Sequence, residues 1–150
     1  MSFQEPDRFF TISVDSESED SKNADQAQSL ASMLGRETGI DLKILTVAAF
    51  KVIKAVGVLF VLPLETYSLD KYTNYILEVA KKLEKKHHTI YLNKNDKENV
   101  DQCLKWMKDN NITDLYLTGP REEDSPGIYE RSKKFFVLFF EKLKEQNKES

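Results

Sequence analysis

The sequence predicts an α/β domain in three layers, a mostly parallel five-stranded sheet covered by helices on both faces. Three observations predict it. Five short runs rich in β-branched and aromatic residues, at 9–14, 42–47, 57–62, 89–92 and 114–117, alternate with segments whose apolar residues recur at helical spacing. The runs at 42–47 and 57–62 are apolar on both faces, as central strands under helices are. The length of 150 residues suits one core, so residues 1–150 are expected to form a single domain, frayed at about 1–7 and 145–150.

The helices follow in order. Ala24, Ala27, Leu30, Ala31 and Leu34 form one stripe, ended by Gly35 or Gly39. Residues 48–54 read as a shorter helix. Leu69, Tyr72, Ile76, Val79, Ala80 and Leu83 form the next stripe, with Ser68 placed to cap it. Val100, Cys103, Leu104 and Met107 form another, and the last helix is expected from about Pro126 to Lys144.

Composition narrows the function classes. A net charge of −3 argues against nucleic-acid binding, which needs a concentrated basic surface. The longest apolar stretch, 56–64, contains Pro63 and is far too short for a membrane span. Cys103 is the only cysteine, so no intramolecular disulfide can form and a reducing compartment is expected. Glu5 and Asp7 interrupt any secretory signal, which places the expectation in the cytoplasm, or else the nucleus.

In a parallel sheet, ligands bind in the crevice beyond the carboxyl ends of the strands. The candidate loops there are 15–23, 64–67, 93–95 and 118–125. The last is the richest in chemistry. Thr118, Gly119, Pro120 and Arg121 follow the final strand, and Ser125 and Pro126 read as an N-cap with proline at the first helical position. Free N–H groups at such a helix start bind anions, and Arg121 would add a guanidinium fork for phosphate or carboxylate. Equally open on this motif is a tight turn with Arg121 paired to Glu122, Glu123 or Asp124.

The segment Tyr116-Leu117-Thr118-Gly119-Pro120-Arg121, with Pro126-Gly127-Ile128-Tyr129, resembles the C-terminal signature of the bacterial "putative molybdenum carrier" proteins. These form a circularly permuted branch of the SLOG superfamily, which is Rossmann-like and related to the LOG nucleotide-processing enzymes. The resemblance spans about residues 56–143, including the Asn110-Asn111-Ile112 turn into the last strand. It implies a Rossmann-like fold and a nucleotide-type ligand held by Thr118, Gly119, Pro120, Arg121, Ser125, Gly127 and Tyr129. The family has a glycine-rich segment after its first strand, where this chain has Asp15-Ser16-Glu17-Ser18-Glu19-Asp20. Its Gly-Gly-Thr loop is replaced by Pro63-Leu64-Glu65-Thr66-Tyr67. The resemblance therefore implies an altered pocket, and neither activity nor molybdenum is carried over with it.

Other residues are weighed one by one. Glu65 directly follows a central strand and is the best single candidate for a general base or a ribose hydroxyl acceptor. The acids Asp15, Glu17, Glu19 and Asp20 read as a solvated loop, and no metal or resident cofactor is assigned. His87 and His88 read as cations closing a helix, and Cys103 as a core residue. Phe135, Phe136, Val137, Leu138, Phe139 and Phe140 cover every face of nearly two turns, which predicts a homo-oligomer or a protein partner on that helix. Two functions follow. One is a nucleotide or nucleotide-derivative binding domain with a partly degenerate pocket, and any catalysis would be hydrolysis of a glycosidic or phosphate bond. The other is a non-catalytic interaction or oligomerisation module.

Overall fold

β2 (Gly57–Leu62) is buried along its whole length, and its side chains alternate between two cores. In the computed structural model, which describes residues 11–13 and 21–149, it lies at the centre of the sheet. It pairs in parallel with β3 (Lys86–Tyr91) on one side and β4 (Asp114–Thr118) on the other. The short β1 (Thr11–Ser13) pairs antiparallel with β4, Ser13 opposite Asp114, which gives the order β1-β4-β2-β3.

Among the described residues five helices cover this sheet on both faces. Val58, Phe60 and Tyr116 face α1 (Ser21–Leu34), α2 (Leu42–Lys54) and α3 (Lys71–Lys82), packing with Leu30, Leu45, Val52, Tyr75 and Ile76. Leu59, Val61, Leu115 and Leu117 face α4 (Asp96–Asp109) and α5 (Ile128–Glu149), packing with Val100, Cys103, Phe135, Phe136 and Phe139. Even and odd residues of β2 thus serve opposite layers, as the period of an extended strand requires. No helix among the described residues is long and apolar enough to cross a membrane.

The expected five-stranded sheet is corrected to four described strands, three of them parallel. Residues 42–47 are the first half of α2, not a strand. Ile44, Thr46 and Val47 suggested β-structure, but the buried residues Leu45, Ala48, Ala49 and Val52 fall at i, i+3, i+4 and i+7. Asp41 begins the helix by accepting a hydrogen bond from the Lys43 N–H at 2.7 Å. The run at 9–14 is a strand at 11–13, and its other residues lie outside the described ones, as does the expected frayed start at 1–7. The helix α5 continues to Glu149, past the expected end at Lys144.

Two element ends moved for readable reasons. Asp70 caps α3, taking the Thr73 N–H at 2.8 Å and the Thr73 hydroxyl at 2.9 Å, so Ser68 does not. At the other end Glu84 takes φ +56, and the Lys85 N–H reaches the Ala80 carbonyl in a Schellman closure. The strand β3 therefore starts at Lys86, and His87 and His88 sit in it instead of closing α3. At the end of α4, Asn111 at φ +52 makes the same closure, with the Ile112 N–H on the Met107 carbonyl.

Candidate functional site

The topology singles out one edge. After β2 the chain passes to the face of α3, whereas after its neighbours β3 and β4 it passes to the face of α4 and α5. Loops that part to opposite faces open a crevice at the carboxyl ends of the strands. Three of the expected loops, at 64–67, 93–95 and 118–125, meet there. Most of the fourth lies outside the described residues. β1 runs antiparallel, so Ser13 lies level with the start of β4 at the opposite edge, and the acidic residues 15–20 lie outside the described ones.

The β4–α5 loop is organised by its own charges. Thr118, Gly119 and Pro120 are buried, and Arg121 is the first reachable side chain. The Arg121 Nε donates to Asp124 Oδ2 at 3.1 Å, its other end lies 3.6 Å from Glu123, and its guanidinium stacks 5.2 Å over the Tyr72 ring. Ser125, Pro126, Gly127 and Ile128 form a turn closed by the Ile128 N–H on the Ser125 carbonyl at 3.1 Å. Gly127 takes φ +92 at its third position, a value that suits glycine. Pro126 thus precedes the helix by two residues and Ser125 is not its N-cap. The cap comes from Glu122, whose carboxylate accepts the Gly127 N–H at 2.6 Å and the Tyr129 N–H at 3.1 Å. A carboxylate from within the chain holds the helix start, where an anion is favoured by free N–H groups and the helix dipole.

Glu65 turns the other way. It pairs with Lys94 at 2.6 Å and accepts from the Asn93 amide at 3.3 Å, both on the β3–α4 turn. The Lys94 hydrogen bond holds its carboxyl below the usual carboxylate range. The β2–α3 loop meets the β4–α5 loop instead at Tyr67. Its hydroxyl donates to Asp70 at 2.8 Å, and its own ionisation is opposed first by burial, then by Asp70 and Asp124. Arg131 ties α5 to the β3–α4 turn through Asp96 at 2.9 and 3.2 Å and the Leu92 carbonyl.

Sequence reasoning missed Glu122, Tyr72, Asp70 and the Asp96–Arg131 pair. Arg121 pairing with a nearby acid was one of the two outcomes the motif left open. Nothing local marks Glu122, because its partners lie five and seven residues on and depend on the intervening turn. No group of three or more His, Cys, Asp or Glu among the described residues is arranged for a metal ion.

No curated protein matches the chain. The crystal structure of the "Putative molybdenum carrier protein" from Syntrophus aciditrophicus SB superposes with a TM-score of 0.54 at 18% identity. The match covers 61% of this chain and 57% of that one, so the two share a fold over little more than half the length of the other protein. The circularly permutated YpsA SLOG family model matches residues 48–140, from within α2 through β4 to the middle of α5. That segment is well over half the chain and contains all three parallel strands, and by it the chain belongs to the circularly permutated YpsA SLOG family.

Proposed function

We propose that this is a SLOG-type binding domain for a phosphate-bearing small molecule of the nucleotide class, with a partly degenerate pocket and no catalysis. The ligand's phosphate would sit at the start of α5, against the Gly127 and Tyr129 N–H groups and Arg121. The observation that carries this reading is the Glu122 carboxylate on those two N–H groups, at 2.6 and 3.1 Å. Two converging backbone donors are arranged for an anion, and in the free chain Glu122, the neighbour of Arg121 in sequence, supplies it. Binding would exchange one anion for another.

Catalysis is disfavoured by Glu65, the one candidate base. Its charge is held by Lys94, and a carboxylate stabilised in its ionised form is a weak proton acceptor. The second reading, a protein-interaction module, is favoured by the same closed edge, since Arg121 and the helix start have partners within the chain. An interface on α5 would rest on the exposed Val137 and the half-buried Leu138 and Phe140, because Phe135, Phe136 and Phe139 belong to the core.

A thermal-shift screen against mono- and dinucleotides, nucleotide sugars and inorganic phosphate tests the proposal. A ligand that binds only the native state raises Tm by mass action. The expected result is a rise with at least one nucleotide that is lost in Arg121→Ala. No rise at millimolar nucleotide, together with a dimer in solution that Val137→Asp dissociates, would leave the interaction module instead.

A further inference from the structure

Outside the ligand edge, one buried polar atom among the described residues has no partner. His88 Nε2, on β3, is shut from solvent and meets no acceptor or donor. The ring stacks on Trp106 of α4, with centroids 5.4 Å apart and planes 21° apart. Trp106 is in turn wedged against the start of β2, where a Cβ built on Gly57 would come within 2.9 Å of both its ring and the Ile112 side chain. The joint between β3 and the C-terminal half of α4 is therefore made by two flat rings in tight quarters.

We propose that the His88–Trp106 stack is an acid-sensitive joint, in which a proton added to the imidazole loosens α4 from the sheet. A neutral imidazole carries one N–H and tolerates a bare second nitrogen, whereas an imidazolium must donate from both. Nε2 has no acceptor to donate to, and an N–H shut from solvent without an acceptor is disfavoured. The attraction of a cation for the indole face acts in the opposite sense but is the smaller effect. Among the described residues no carboxylate meets Nε2. His87 on the same strand opposes the proton, β2 presents Leu59 as the paired residue, and the α4 charges Lys105 and Asp109 pair with each other at 2.8 Å. Burial and His87 together hold the His88 imidazole below its ordinary value of 6.5. The unfolded chain thus takes up this proton first as pH falls, so stability is complete above about 6.5 and declines below it.

Trp106 is the single tryptophan, so its emission reports on this joint alone. We expect the emission of the full chain to change on acidification from about pH 8 to about pH 4.5, with a midpoint below 6.5. Amide protection in residues 103–109, taken relative to the intrinsic exchange rate at each pH, should fall over the same range. Both changes should vanish in His88→Phe, which keeps a flat apolar ring, and persist in His87→Gln. His88→Gln serves should the first variant not fold. Emission and amide protection that stay flat in the wild type, or that titrate unchanged in His88→Phe or His88→Gln, would overturn the proposal.

Discussion

At the scale of single residues, the roles of Cys103 and Glu122 differ in how far they could be read from sequence. Cys103 sits on an apolar helical stripe, and the structure buries it completely. Burial pushes its thiol up to about 12, so almost no thiolate exists at neutral pH. A disulfide reagent should therefore leave the folded protein unlabelled and react fully in denaturant, as a thiol-counting assay would show. Rapid labelling of the native chain would contradict this. Glu122 was not legible as a cap, because the apparent Ser125-Pro126 helix start hides the turn that carries the chain to Ile128. Its loss should be felt in stability, with Glu122→Ala costing about 1 kcal/mol in denaturant unfolding, the usual worth of a helix cap. A variant as stable as the wild type would show that water replaces the carboxylate without loss.

At the scale of elements, β2, β4, α3, α4 and α5 were legible because their apolar periodicity is strong and uninterrupted. Of α2 only the second half, the helix expected at 48–54, was. The β-branched residues of its first half fit a strand as well as a helix over six positions, and only the burial of Leu45, Ala48, Ala49 and Val52 along one face decides between them. The end of α3 was hidden for another reason. The closing residue in the left-handed region is Glu84, where glycine is the usual signal. The following residue then does a second task. Lys85 donates to the Ile53 and Ala55 carbonyls at 3.0 and 2.8 Å, tying α3 to the exposed carbonyl end of α2, and burial lowers its basicity. Lys85→Met should destabilise by roughly 1.5–3 kcal/mol, the range for hydrogen bonds from a charged donor. A chevron analysis of that variant measures it, and a change within error would mean that the two carbonyls are satisfied by solvent.

At the scale of the whole molecule, the three parallel strands and the helices on both faces follow from the alternation of short apolar runs with helical stripes. What the sequence left open was direction. β1 runs antiparallel to β4, with Ser13 opposite Asp114 at the start of β4, and a three-residue strand carries no local mark of its orientation. The ligand edge itself is where local and global signals part. Its three loops lie within the stretch that the family model matches, while its carboxylates hold Arg121, Lys94 and the start of α5. Whether that edge still takes a phosphate is measured most directly by calorimetric titration of the wild type, Glu122→Ala and Arg121→Ala with one nucleotide. The account predicts weak binding by the wild type and binding about 5- to 30-fold tighter by Glu122→Ala, the equivalent of about 1–2 kcal/mol of competing cap. Arg121→Ala should not bind. No heat in any of the three, with Glu122→Ala folded, would contradict it.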